Sequence, residues 1–247
     1  MGEVCFDRAA TIRVFGTAVA LRASNDALLQ RMLDVSPPLW RPSTARRVAR
    51  TYELRASGDV DEALAAYAAD VKMFVAERSP QRVFVHAGVV AFDDRAIVIP
   101  GKSFSGKTTL VRALLDAGAT YYSDEYAVLD RRGRVHPYPQ PLGVRTEDKR
   151  RQIATAVSSR IGTRPIPIAL VVLTEHRAGS KWRATRLSPA RAVLEVSQHT
   201  LPFMRDPARS LDVLSAALAP ATTLRGTRGD ATDAVRAILR LRKAFAR

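Results

Sequence analysis

At 247 residues, 47% apolar and 26% charged, the chain has the composition of a folded protein and the length of one large α/β domain or a core with a smaller appended unit. Its formal charge of +15 is mostly arginine; such a field attracts nucleotides, nucleic acid or acidic peptides, and an arginine-rich solvated surface gives the same total. Cys5 is the only cysteine, which excludes an intrachain disulfide and a cysteine-based zinc site; no apolar run reaches the roughly 18 residues of a membrane span, and Asp7, Arg8 and Arg13 interrupt any signal-like start, so a cytoplasmic protein without a membrane partner is expected.

Thr11–Leu21 alternates and is rich in Val, Ile and Phe, which predicts a strand. Ser24-Asn25-Asp26 offers a cap to a helix over Ala27–Leu33, Pro37, Pro38 and Pro42 break the pattern, and Val48–Leu54 reads as another strand. From Asp61 to Glu77, Leu64, Tyr67, Val71 and Phe74 recur at helical spacing. Residues 1–78 are therefore expected to form an N-terminal strand-and-helix unit packed on a core of residues 79–247.

The core opens with apolar strands at Arg82–Phe92 and Ala96–Pro100, separated by the turn-like Asp93-Asp94-Arg95. A glycine-rich segment leads into a helix from Lys107 to about Asp116, with Gly118 as its C-cap. Thr120–Tyr122 and Tyr126–Asp130 are extended around Ser123-Asp124-Glu125; Arg131–Arg134 turns into Val135–Pro139, and Pro141–Val144 is a strand ending at Arg145. The polar stretch Glu147–Ser158 predicts a helix, and Ile166–Leu173, the most apolar run, a buried central strand. Further helices are predicted from Ser188-Pro189 through Val196, over Asp206–Leu218 and over Asp230–Phe245; strands alternating with helices make the class α/β.

Gly101-Lys102-Ser103-Phe104-Ser105-Gly106-Lys107-Thr108 fits G-x-x-x-x-G-K-[ST], followed by Thr109. Each part has a physical reason. The glycines let backbone N–H groups wrap phosphate oxygens where a Cβ would intrude. The helix beginning at Lys107 aims its unpaired N–H groups at the same phosphates. Lys107 supplies a charge for the β- and γ-phosphates and Thr108 a hydroxyl for Mg²⁺. The segment follows the apolar Ala96–Ile99 and opens a helix that Leu110, Val111, Leu114 and Leu115 would bury on one side.

Two further features accompany it. Ser123-Asp124-Glu125 stands at a strand end just downstream, where phosphoryl-transfer enzymes hold Mg²⁺ or a base; adjacent acids in an extended chain point to opposite sides. His86 is a lone polar residue in the apolar strand Arg82–Phe92, one strand before the strand that leads into the glycine-rich segment; such a residue is commonly a core histidine, and its place beside the segment points to a role in the site.

Together these features resemble the catalytic domain of the HPr kinase/phosphorylase family, whose P-loop is related to that of the phosphoenolpyruvate carboxykinases; smaller peptide kinases of lasso-peptide pathways look similar. The matching text is His86-Ala87-Gly88-Val89, Ile99-Pro100-Gly101 through Thr109-Leu110, Ala113-Leu114-Leu115 with Gly118-Ala119, and Ser123-Asp124-Glu125, so it spans about residues 82–145. The family usually has Asp-Asp where this chain has Asp124-Glu125. The resemblance implies a P-loop core with a mixed sheet and flanking helices, ATP and Mg²⁺ as cofactors, and kinase activity toward a hydroxyl of a peptide, protein or small molecule. It assigns Asp124, Glu125 and His86 to catalysis, Asp124 accepting the hydroxyl proton, and Thr108 with Asp124 or Glu125 to the metal.

Arg145 could reach a phosphate or be one more surface arginine, and Glu175-His176 follow the central strand where α/β sites often form. The basic last helix, with Arg236, Arg240, Arg242 and Lys243, lacks the aromatic interleaving of a nucleic-acid reader, so nucleic acid is not an expected partner. The alternative to a kinase is a nucleotide-binding regulatory or scaffold protein with little or no transferase activity. The acceptor and a homo-oligomeric state are both left open.

Overall fold

The computed structural model describes residues 8–101, 105–140, 143–145, 151–153 and 160–245, with the backbone alone for 143–145, 151–153 and 242–245. The chain divides into two units, Met1–Arg82 and Val83–Arg247.

In the first unit, β1 (Arg8–Val14) and β2 (Thr17–Ala23) form a hairpin closed by Phe15 and Gly16, both left-handed at φ 46° and 89°. The single strand expected over Thr11–Leu21 is thus two. A two-residue turn with both φ positive matches the twist of the flanking strands, and Phe15 is not a residue that announces one. Asn25 caps α1 (Asp26–Asp34), its side chain accepting from the Leu28 N–H at 2.8 Å. β3 (Arg41–Pro42) and β4 (Arg50–Leu54) complete a sheet ordered β3-β1-β2-β4. Asp59 caps α2 (Val60–Arg78), which buries the expected Leu64, Tyr67, Val71 and Phe74 against Ile12, Leu21, Met32 and Tyr52. Inside that cluster burial pushes the Tyr67 phenol up to about 12.

The second unit begins with the hairpin of β5 (Val83–Phe92) and β6 (Arg95–Pro100), its turn made by Asp93 and Asp94 with φ 48° and 57°. Then follow α3 (Lys107–Asp116), β7 (Thr120–Ser123), β8 (Tyr126–Leu129) and β9 (Val135–His136). β10 (Gly143–Arg145) and β11 (Arg151–Ile153) pair antiparallel as a separate ribbon. The expected helix over Glu147–Ser158 is therefore corrected at Arg151–Ile153: cross-strand pairing overrides the helical propensity of Arg and Gln. The rest of that stretch lies outside the described residues. The remaining elements are β12 (Ile168–His176), β13 (Arg183–Arg186), α4 (Pro189–Ser197), α5 (Pro207–Leu218), β14 (Thr222–Arg228) and α6 (Ala231–Phe245).

Among the described residues, eight strands form one mixed sheet in the order β13-β14-β12-β6-β5-β8-β9, with β7 also pairing β5. β14, β12 and β6 run parallel, and β12 is central and apolar as expected. Strand alternation divides the core in two. Val85, Ala87, Val89 and Val98 meet α4 and α5 on one face, while Val90, Ile97, Ile99 and Leu170 meet α3 and α6 on the other. The class is α/β. Truncating Leu114, fully buried in α3, would cost about 2–5 kcal/mol.

Candidate functional site

The glycine-rich segment joins β6 to α3. Gly101 leaves the strand with its N–H donating to the His86 carbonyl at 3.2 Å, so the loop starts tied to β5. Lys102, Ser103 and Phe104 lie outside the described residues. The loop ends at Gly106, the N-cap of α3, at φ 81°. Lys107 is buried in the first turn, and its Nζ donates to the Gly101 carbonyl at 2.8 Å, spanning the loop from end to start. Ser105 puts its hydroxyl inward: a Cβ on Gly101 would come within 2.6 Å of Ser105 Oγ. Thr109 is exposed on α3.

Asp124 and Glu125 sit between β7 and β8, two short strands that pair in succession with one edge of β5. The interruption has a local cause. Ser123, fully buried, accepts the N–H groups of Glu125 and Tyr126 on its hydroxyl at 3.1 and 3.0 Å, diverting the chain. Asp124 is thereby brought to α3, where the Thr108 hydroxyl donates to Asp124 Oδ2 at 2.8 Å. Glu125 turns toward β5, with Oε1 3.9 Å from His86 Nε2, both side chains about a quarter exposed.

β5 supports this convergence from below. His86, Gly88 and Val90 share a face, the one on which α3 packs. A side chain at Gly88 would meet Val111 Cγ2 at 2.5 Å and Asp124 Oδ1 at 3.7 Å, so only glycine lets α3 and the acid approach the strand together. On the other flank the α4–α5 connection lies along β5, the His86 N–H donating to the His199 carbonyl at 2.7 Å and the Leu201 N–H to the Phe84 carbonyl at 2.9 Å. Position 86 is held from both sides.

The structure thus brings together Gly101, Ser105, Gly106, Lys107, Thr108, Asp124, Glu125 and His86. Arg145 lies in β10, its side chain outside the described residues. Glu175 is exposed and paired with Arg177 at 3.3 Å, and His176 stands beside Gly106, whose ideal Cβ would be 3.8 Å from His176 Cβ.

One residue here escaped the sequence reading. Arg228, at the end of β14, donates from Nη2 to the Gly106 carbonyl at 2.8 Å. The run Thr222–Arg228 carries little apolar signal and is interrupted by Gly226, so it did not read as a strand. Its register supplies the missing signal, since β14 pairs parallel with β12 and sets Arg228 opposite His176.

Electrostatically, the unit from Val83 onward holds 27 Lys and Arg against 14 Asp and Glu, a balance of +13 out of the chain's +15. Against that background, Tyr121 has its phenol pushed up by burial and by the charge of Asp124. Among the described residues no group of three or more His, Cys, Asp or Glu could hold a metal ion. What is present is an all-oxygen pair, the Thr108 hydroxyl and an Asp124 carboxylate, at a helix N-terminus. That donor set suits Mg²⁺, which takes one or two protein oxygens and fills its remaining positions with phosphate and water. It does not suit a dedicated transition-metal centre.

Compared with known proteins, the chain matches no family model and no curated sequence. Among the described residues no helix is long and apolar enough to cross a membrane.

Proposed function

We propose that the chain is an ATP-dependent kinase of the HPr kinase-like type, transferring the γ-phosphoryl group to a hydroxyl of a peptide, protein or small molecule. The observation that carries this reading is the 2.8 Å bond between Thr108 and Asp124, with Glu125 and His86 3.9 Å apart beside it. A site that only held nucleotide would need the first pair and not the second.

The geometry supports a division of labour between the acids that differs from the expectation for Asp124. Asp124, engaged by Thr108, belongs with that hydroxyl as a holder of Mg²⁺, which when bound supplies charge neutralisation on the β- and γ-phosphates. Glu125, turned to His86 and partly open to solvent, is placed to accept the proton of the acceptor hydroxyl. The acceptor oxygen then bonds to the γ-phosphorus as the bond from that phosphorus to the β–γ bridging oxygen breaks, and ADP leaves with the electron pair. Lys107 and the N-terminal N–H groups of α3 hold the charge that develops on the transferred group. His86 orients the Glu125 carboxylate.

The test has two steps. Calorimetry with MgATP should show binding, and ³²P from labelled ATP should appear on serine-containing peptides or hydroxyl metabolites screened as acceptors. Binding with no label transfer to any acceptor would favour the regulatory binder, and absence of binding would refute both.

A further inference from the structure

Arg228 heads the large side chains that are fully buried among the described residues, at 2% exposure. An arginine is seldom buried so completely without a carboxylate against it. Here the partners are carbonyls: Nη2 reaches Gly106 at 2.8 Å, Nη1 reaches Gly229 at 3.3 Å, and Nε, also buried, has no hydrogen-bond partner among the described residues. Asp230 is the carboxylate whose charge reaches it; burial nonetheless holds its pKa below the ordinary value. A guanidinium remains charged regardless, so the fold carries a desolvated cation beneath the end of the phosphate-binding loop.

The Gly106 carbonyl also accepts the first helical bond of α3, from the Leu110 N–H at 3.2 Å. With Arg228 on its second lone pair, the Gly106–Lys107 peptide plane is fixed. Because that peptide is planar and trans, its N–H points opposite to its carbonyl, out of the helix N-terminus where an anion would lie. Gly106 is required twice over: its φ is 81°, and a Cβ there would run into the Arg228 guanidinium.

We infer that Arg228 is the positioning residue of the polyphosphate site, aiming the Lys107 N–H at the phosphates and contributing a buried charge that the bound phosphates neutralise. The inference rests on the nucleotide reading above and adds a residue to it. It has an energetic signature. A buried cation with no carboxylate in hydrogen-bond contact contributes little to the free fold, because its desolvation offsets its hydrogen bonds, whereas binding of the anion loses both the charge and the fixed peptide when the arginine is removed.

The experiment compares wild type, Arg228→Met and Arg228→Lys by calorimetry with MgADP and with magnesium pyrophosphate, alongside melting of the free proteins. Arg228→Met should melt close to the wild-type temperature and bind both probes roughly 10- to 100-fold more weakly, the range of a lost hydrogen bond to a charged group. Arg228→Lys keeps the charge and loses the fork, so it should recover part of that affinity. Wild-type affinity in Arg228→Met, with or without a lower melting temperature, overturns the inference and leaves a structural arginine. If Arg228→Met does not fold, Arg228→Lys decides: weaker binding than wild type supports the fork, and unchanged binding overturns it. No binding by the wild type would sink the nucleotide reading and this inference together; binding by the wild type that Arg228→Met retains would sink this one alone.

Discussion

Gly88→Ala is a small change with a large expected effect. The added methyl would sit 2.5 Å from Val111 Cγ2, where contact between carbon atoms is comfortable at about 3.5–4.0 Å. Val111 is fully buried in α3 and has no open side to swing toward. β5 and α3 must therefore separate by about 1 Å, an overpacking that typically costs about 1–3 kcal/mol. α3 carries Lys107 and Thr108, so the same movement would stretch the 2.8 Å Thr108–Asp124 bond beyond hydrogen-bonding range. Val111→Ala alone should cost about 2 kcal/mol by removing buried methyl groups and leaving a cavity. In the double variant the new methyl occupies the space just vacated, so the two losses should fall short of their sum by about 1–2 kcal/mol. Urea unfolding measures this as a shift in midpoint at constant slope, and MgADP affinity, lost in Gly88→Ala, should recover in the pair. Additive losses, or an unchanged midpoint in Gly88→Ala, would refute the packing argument.

Other outcomes follow from single side chains. Lys107→Ala should abolish most MgATP affinity by calorimetry while leaving the melting temperature close to that of the wild type. Glu125→Gln should keep MgATP bound and slow label transfer by ~10²–10⁴, whereas Asp124→Asn should weaken the dependence of binding on magnesium. Asp130 is pushed up by burial but held below the usual carboxylate range overall, by His136 Nε2 at 2.9 Å and by the N–H groups of Arg134 and Arg132. Its contribution is complete above the unfolded pKa near ~3.9 and is lost as pH falls through the lower folded value. Asp130→Asn should accordingly cost about 0.5–1.5 kcal/mol at neutral pH, with the deficit closing in acid.

The glycine-rich segment, the acids after it and His86 were legible because local chemistry dictates them: spacing for the loop, and a polar interruption in an apolar strand for the others. The resemblance, which assigns them to one site, implies that they converge; how they do so was hidden, since it depends on β5 taking two partners along one edge. Helices with explicit caps, such as those started by Asn25, Ser188 and Asp206, stood where the caps put them. Two strands that escaped notice, β13 and β14, are arginine-rich, and β14 carries Gly226, where a Cβ would collide with the Arg183 carbonyl. A strand made possible by close approach of a neighbour leaves little hydrophobic pattern behind. Arg228 was hidden with it. The left-handed turn at Phe15 and the ribbon at Arg151–Ile153 likewise owe their form to partners distant from the local sequence pattern.

The interruption between β7 and β8 places opposite demands on length and on chemistry. His86 pairs with Tyr126 and Val89 with Ser123, so the two residues between them on each chain are matched in number even though the ladder lapses. Removing or adding one residue at Asp124-Glu125 would put β8 out of step by one. Ala127 and Leu129 would then exchange faces with Tyr126 and Val128, turning an aromatic ring into the cluster on the α4–α5 side. Exchanging a side chain there disturbs none of this. A lineage carrying this fold can therefore explore new acids, amides or histidines at 124 and 125 by substitution, while length variants of the same segment would be eliminated through misfolding before any change in activity could be selected.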